Sequence, residues 1–274
     1  MQSLVDYFNA IPSSHRALIL VGGITFFWLV ESAVPLFNFK YNKFKHAGVN
    51  IFFTITTIVV NFALAFVLVK TSDFVAAKQF GLLFMLPTMP LWLTAIVGML
   101  LLDLVGAYTI HFIEHRIPWM WRFHLVHHSD QSVDTTTANR HHPGESVFRL
   151  VFTCLAVLLT GAPIWVIFLY QTASAVLSQF NHANIVLPKK IDAVLSWVIV
   201  TPNVHHVHHH YVLPHTDTNF GNIFSVWDRL FGTFSMMDND KIIYGIDTHQ
   251  ANEEHSNIGT ILKVPFGKYR KPTL

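Results

Sequence analysis

Three stretches of the chain are apolar for the length of a membrane span and carry no more than one acidic residue apiece. They are 17 to 37 (ALILVGGITFFWLVESAVPLF), 47 to 69 (AGVNIFFTITTIVVNFALAFVLV) and 90 to 110 (PLWLTAIVGMLLLDLVGAYTI). A helix that crosses a bilayer needs about 20 mostly apolar residues, and three such stretches are hard to cover in water, which argues against a large buried soluble core. Composition agrees: 52% of residues are hydrophobic and 12% are charged, against roughly 25% charged in an ordinary soluble domain. A fourth apolar region, 147 to 181, is too long for one span and holds Thr160-Gly161-Ala162-Pro163 at its middle. Glycine and proline there mark a turn, so the region reads as a helical hairpin. Its arms of about 14 and 19 residues are short for the hydrocarbon thickness, giving two short or tilted spans or a hairpin that does not fully cross. The expected fold is all-α, a polytopic membrane bundle of about four transmembrane helices.

Basic residues set the orientation. Lys40, Lys43 and Lys45 lie between the first two spans, and eight lysines and arginines come after residue 183, which places both regions in the cytoplasm. The N-terminus and the 70 to 89 loop then face the other side. The span ending at 110 delivers His111 to the cytoplasmic surface, and a hairpin over 147 to 181 delivers His182 to the same surface. Residues 189 to 202 (KKIDAVLSWVIVTP) are too few to cross and read as an interfacial helix. The polar start (MQSLVDYFNAIPSSHR) lacks a basic segment leading straight into an apolar one, so no cleaved signal is expected. One cysteine, Cys154, leaves no internal disulfide framework. A net charge of +2 from scattered basic residues gives no reason to expect nucleic acid.

Histidine occurs 18 times, and 14 copies fall between His111 and His215. The groups are HFIEH (His111, His115), HLVHH (His124, His127, His128), RHHPGE (His141, His142), NHAN (His182) and HHVHHH (His205 to His210). Residues three and four apart share a helix face, so H-x-x-x-H and H-x-x-H-H are each expected to aim their rings at a single point. One histidine on an apolar face is ordinarily a hydrogen-bonded core residue, but three such groups at one surface point to metal. A tetrahedral zinc takes four protein ligands or fewer, whereas two metals of about five or six positions each call for roughly eight to ten. Imidazole suits iron, copper, zinc and nickel alike. Two registers overlap in the last group. His205, His208 and His209 repeat the H-x-V-H-H of His124, His127 and His128, and they are favoured as ligands over His206 and His210.

Carboxylates are expected to orient the ligand rings, with Asp103, Glu145, Asp228 and Asp134 as candidates. Asp103 stands out because a carboxylate inside a span is costly. Trp119 and Trp121 read as interfacial anchors, and Trp227 and Phe231 as packing residues. Three other readings compete. His111-x-x-Glu114-His115 satisfies the H-x-x-E-H pattern of a zinc protease, but that leaves the other histidines without work. A histidine-rich metal transporter would place its site near the bilayer midplane, whereas these groups lie beyond the spans. HHPGE echoes a haem-binding turn, but the soluble fold that would surround it is absent.

In order along the chain, DLVGAYTIHFIEHRIPWMWRFHLVHHS (103 to 129), TTTANRHHPGE (135 to 145), FNHANI (180 to 185), TPNVHHVHHHY (201 to 211) and DTNFGNIFSVWDRLFGTF (217 to 234) resemble the membrane fatty acid hydroxylase and sterol desaturase superfamily. Their texture is similar to that of its bacterial members and of the alkylglycerol monooxygenases. The resemblance covers roughly residues 100 to 235. It implies a 1 to 100 N-terminal transmembrane region, a 101 to 235 hydroxylase-like catalytic region with a cytosolic helical cap, and a 236 to 274 cytosolic tail. It implies two iron ions and dioxygen as co-substrate. It also implies a lipid substrate, hydroxylated or desaturated, and a separate electron donor such as a cytochrome b5-like protein, a ferredoxin or a reductase. The membrane would be a bacterial inner membrane or the endoplasmic reticulum, with the site on its cytoplasmic face. Carried over by position, the ligands are His111, His115, His124, His127, His128, His142, His182, His205, His208 and His209. Phe112 departs from the pattern, since many members carry arginine there, and His182 stands alone where some members have a second histidine.

Overall fold

The computed structural model describes residues 1 to 272, and among these there is no β-strand, only two isolated bridges, Pro35 to Ile185 and Ile199 to Phe224. Four helical stretches are long and apolar enough to cross a membrane: Ser13–Ala33, Lys43–Met85, Leu91–Arg116 and Pro143–Thr160. The first three cover most of the stretches expected from composition, although the first ends at Ala33, four residues before the expected 37. In order, the helices are α1 (Gln2–Asn9), α2 (Ser13–Ala33), α3 (Lys43–Lys78), α4 (Leu82–Met85), α5 (Leu91–Asp103), α6 (Ile110–Arg116) and α7 (Pro118–His128), then α8 (Pro143–Thr160), α9 (Ile164–His182), α10 (Lys189–Leu195), α11 (Pro202–His208), α12 (Val226–Phe231), α13 (Asn252–Ser256) and α14 (Ile258–Lys263).

The hairpin forms where glycine and proline call for it. Gly161, at φ 70°, ends α8, and Pro163 opens α9. The backbone of Gly161 touches that of Gly81, at φ 114°, where a Cβ on Gly81 would come within 2.3 Å of the Gly161 nitrogen. Only glycine fits this contact at the end opposite the histidines. The arms are 18 and 19 residues long, and the first is longer than expected because His142 and Pro143 start the helix before the apolar run does. Of the two, α9 is the inner helix. It carries Gln171, Ser174, Ser178, Gln179 and Asn181, buries Trp165, Val166, Ile167 and Tyr170, and packs against α1, α2, α5 and α11.

A π-helical turn, Leu104–Thr109, joins α5 to α6 directly before His111. Its wider turn shifts the register of α6 by about one residue, or roughly 100° round the axis. The interfacial helix is shorter than expected: α10 stops at Leu195, and a turn leads into the bridge at Ile199. Residues 236 to 272 lie along the histidine end, where Ile261 of α14 packs against Val49, Phe53 and Val126.

Glu31, near the end of α2, accepts hydrogen bonds from the backbone N–H groups of Thr135 and Asn184 and pairs with Lys43 at 3.1 Å. The lysine-bearing 38 to 46 loop therefore sits at the same end of the bundle as the histidines.

Candidate metal centre

Nine of the ten histidines proposed as ligands converge on two adjoining points. One group is His111, His115, His124, His128 and His208, and the other is His127, His182, His205 and His209. In each, one ring nitrogen per residue lies within 4.8 Å of all the others. The groups touch: His128 and His209 stack with centroids 4.6 Å apart. His111 and His115 aim at one point as their spacing suggested, but the two H-x-x-H-H boxes do not. His124 and His128 turn to the first group and His127 to the second, while His205 and His209 turn to the second and His208 to the first. Positions i and i+4 differ by about 40° round a helix, whereas i+3 and i+4 differ by about 100°. Each H-x-x-H-H box therefore reaches both points, whereas His111 and His115, four apart, turn to the same one.

The outer nitrogens decide which atoms face inward. His111 Nδ1 donates to the Phe220 carbonyl at 2.8 Å, and His124 Nδ1 donates to Glu145 at 2.8 Å. His208 Nδ1 donates to the Thr218 carbonyl at 2.7 Å, and His115 Nδ1 to Asp217 at 3.2 Å. A neutral imidazole has one N–H, so all four Nε2 atoms carry lone pairs. Those of His115 and His208, with both nitrogens of His128, are buried without a hydrogen-bond partner. In the second group His182 Nδ1 donates to the Ser178 carbonyl, and its Nε2 lies 3.1 Å from His127 Nε2 and 3.0 Å from His205 Nε2. Buried polar atoms left unpaired are costly, and converging lone pairs are what a cation requires. The donor set fits metal ions. Burial, and for His127, His128, His205, His208 and His209 the crowding of other rings, keeps these imidazoles neutral. Burial likewise depresses His124 to about 3, against the opposing pull of Glu145.

His142 is not brought to either group. It caps α8, its Nδ1 accepting from the Gly144 N–H at 3.0 Å, while Nε2 faces the Leu262 carbonyl. His141 lies beside the groups, though in neither: it stacks on His127 with centroids 4.7 Å apart and places Nδ1 2.9 Å from Glu145, forming a separate cluster with Glu145 and His124. The step from a 3-10 turn into a proline-led helix turns the two neighbouring rings to opposite sides.

Of the four carboxylates proposed to orient rings, Glu145 touches His124 directly. Asp228 acts one step removed: it accepts from the Phe220 and Gly221 N–H groups at 2.7 and 2.8 Å, and so fixes the carbonyl that receives His111. Asp103 holds the same loop lower down, through Ile223, Phe224 and Trp227. Asp134 contacts no ligand histidine; it caps the turn at Thr135–Asn139 and accepts from Tyr41. Sequence reasoning missed Asp217 and Arg149, and met Glu114 only in the zinc-protease pattern. Arg149 donates to Glu145 and to Glu114, at 2.8 and 2.7 Å, and its position four residues after Glu145 on one helix was a readable signal. Trp121 covers His115 and His128 and only Trp119 is exposed, so only the latter stands where an interfacial anchor should.

Glu114 bears on the zinc-protease reading. Its carboxylate pairs with Arg149 and lies 3.8 Å from the outer Nδ1 of His124, behind the ring and away from the converging nitrogens, where it cannot serve a metal-bound water.

The fold and site define a helical membrane protein with a buried polyhistidine centre at one end of its bundle. The model of the family described as Fatty acid hydroxylase matches residues 95–233, half of the chain, and the chain belongs to that family. It is 28% identical over 145 residues to ornithine lipid hydroxylase OlsE of Rhizobium tropici, covering 53% of this chain and 43% of that protein. It is 33% identical over 147 residues to alkylglycerol monooxygenase of Danio rerio, covering 53% and 31%. It is 28% identical over 149 residues to human cholesterol 25-hydroxylase, covering 54% and 53%. The matches thus span less than half the length of the first two relatives. No solved structure matches.

Proposed function

We propose that the protein is a membrane-bound oxidoreductase that uses dioxygen to hydroxylate, or desaturate, a C–H position of a lipid at a centre of two iron ions. His111, His115, His124, His128 and His208 would hold one ion, and His127, His182, His205 and His209 the other. The two sets of converging imidazole nitrogens, with those of His115, His128 and His208 left without a hydrogen-bond partner, carry the reading, and relatives whose names are lipid hydroxylases and a monooxygenase support it. The bound irons would supply dioxygen activation, with hydroxylation consuming one dioxygen, two electrons and two protons and returning a hydroxyl group and water.

The protein's own residues have definable tasks. Glu145, Asp217 and the carbonyls of Phe220, Thr218 and Ser178 hold ring hydrogens outward, so that each Nε2 presents its lone pair inward. Arg149 balances Glu114 and Glu145 next to the site. Phe220 lies against His111, His115 and His208 and Trp121 against His115 and His128, which keeps bulk water from the rings. Imidazole is a better ligand than thiolate beside an oxidant strong enough to attack an unactivated C–H bond. A separate cytochrome b5-like protein, a ferredoxin or a reductase would deliver electrons from the cytoplasmic side, while the lipid arrives from the bilayer.

The test is metal analysis of the purified protein together with lipidomics of cells with and without the gene. Two irons per chain, and a lipid shifted by one oxygen or two hydrogens that disappears with His127→Ala or His208→Ala, would bear the proposal out. One metal or none, with lipid profiles unchanged in both variants, would overturn it.

A further inference from the structure

Two segments beyond the hairpin are tied into one lobe. Val200 N–H donates to the Ile223 carbonyl and Ser225 N–H to the Val198 carbonyl, while Ser225 Oγ and Arg229 Nη2 both donate to the Ser196 carbonyl, at 2.6 and 3.0 Å. The lobe is pinned at a depth that two independent contacts measure. Ile223, Phe224 and Trp227 all donate to Asp103, which lies eight residues before His111, or roughly 12 Å down the helix at 1.5 Å per residue. Asn222 donates to Ser174 at 2.6 Å, eight residues before His182, a similar distance down α9. Asp103 is also midway along the Leu91–Arg116 stretch, so the loop that meets it reaches well inside the hydrocarbon layer, about 30 Å thick.

The outer face of the lobe matches that depth. Val194, Trp197, Val198, Leu230 and Phe231 are all more than half exposed, a larger apolar surface than a protein in water ordinarily leaves open. Its charges are buried or covered by rings. Asp192 and Asp228 are buried, and the Arg229 guanidinium is sandwiched between Trp197 and Phe234, 4.0 and 3.7 Å from the ring centroids. Lys189 and Lys190 stand exposed at the start of α10, where long cationic chains reach headgroups.

We propose that the lobe formed by residues 189 to 198 and 220 to 231 is immersed in the acyl chains of the bilayer leaflet on the histidine side, with Val194, Trp197, Val198, Leu230 and Phe231 facing lipid. This rests on the reading of α2, α3, α5 to α6 and α8 as spans and extends the expected interfacial helix into a lobe that enters the leaflet without crossing it. It also gives the site a wall made of lipid-facing protein, since Phe231 stacks on Tyr108 at 5.3 Å and Tyr108 meets Phe220 beside the histidines.

Spin labels at Val198→Cys and Leu230→Cys in nanodiscs test it, with Phe62→Cys on α3 as a label for the spanning region and Ile243→Cys in the tail as an aqueous one; the native Cys154 is buried. At 198 and 230 collisions with oxygen should exceed those with an aqueous nickel chelate several-fold more than at 243, as they should at 62. A lipid-like Phe62 with aqueous 198 and 230 would overturn the lobe alone; an aqueous Phe62 would overturn the spanning reading itself. Protection from both reagents at 198 and 230 would mean that a protein covers the face, and would also overturn it. Independently of any label, the part of the tryptophan emission lost in Trp197→Phe should be quenched by brominated lipid and not by acrylamide.

Discussion

His111 Nε2 and His124 Nε2 face each other at 3.0 Å with no hydrogen to place between them. Each ring gives its N–H to an outer acceptor, Phe220 for one and Glu145 for the other. Two opposed lone pairs at this distance repel unless a cation lies between or beside them, so a bound metal should stabilise the folded state. Ligands that bind only the folded state raise its stability by mass action. Chelation of the purified protein should therefore lower its thermal midpoint, and iron, or cobalt as a substitute, should restore it. A midpoint indifferent to both would contradict the lone-pair argument.

Glu145→Gln keeps the shape of the side chain but weakens acceptance from His124 and unbalances Arg149. Loss of an acceptor behind a ligand ring commonly costs about 10- to 100-fold in metal affinity. Competition with a coloured chelator should show weaker binding of one metal ion out of two, with helicity by circular dichroism unchanged.

His205 and His206 are neighbours with different duties. His205 Nε2 points at His182 Nε2, whereas His206 is fully buried against Tyr244 and the His182 carbonyl. His205→Ala should lose about half the metal, as expected when one of two sites loses a ligand. His206→Ala should keep it and lose stability instead, about 1 to 3 kcal/mol for buried partners left unsatisfied. Equal metal losses measured by plasma spectrometry would contradict the assignment.

His142 stands as a cap. His142→Ala should cost about 0.5 to 2 kcal/mol, the usual range for a lost N-cap, with metal content intact, and His142→Asn should recover most of it. Loss of metal in His142→Ala with the fold preserved would instead return His142 to the ligand set.

Acid should destabilise the protein from the neutral side downward. His124 is held near 3, and burial keeps His127, His128, His205, His208 and His209 well below the ordinary imidazole value. In the unfolded chain the same groups take protons near 6.5. Because the unfolded state binds more protons below that value, stability falls as pH drops, and bound metal adds to the slope in the same direction. The thermal midpoint should be nearly flat above pH 7 and fall steadily from about 6.5 toward 4, in detergent and in nanodiscs alike.

Much of this was legible without coordinates. The lengths of the apolar stretches forced the spans, Gly161 and Pro163 forced the hairpin, and parity brought His111, His182 and the lysine loop to one end. Helical spacing singled out eight of the nine histidines that converge, the family resemblance supplied His182, and the repeat of H-x-V-H-H separated His205, His208 and His209 from His206. Apart from the resemblance, each of these features depends on distances of a few residues along a helix, which local backbone geometry sets by itself.

The tertiary structure decided the rest. A box of three histidines specifies three directions, and only the approach of α7 to α11, with α6 and α9 beside them, determines that each box is shared between two points. The choice between His141 and His142 turned on how a 3-10 turn enters α8, and Asp217 reaches His115 from 102 residues away with no trace in local spacing. Asp134 was a candidate partner for the rings, but the chain turns it toward Tyr41 and away from every ligand. Periodicity fixes the face of a helix on which a side chain lies; what that face meets depends on packing between segments distant in the chain.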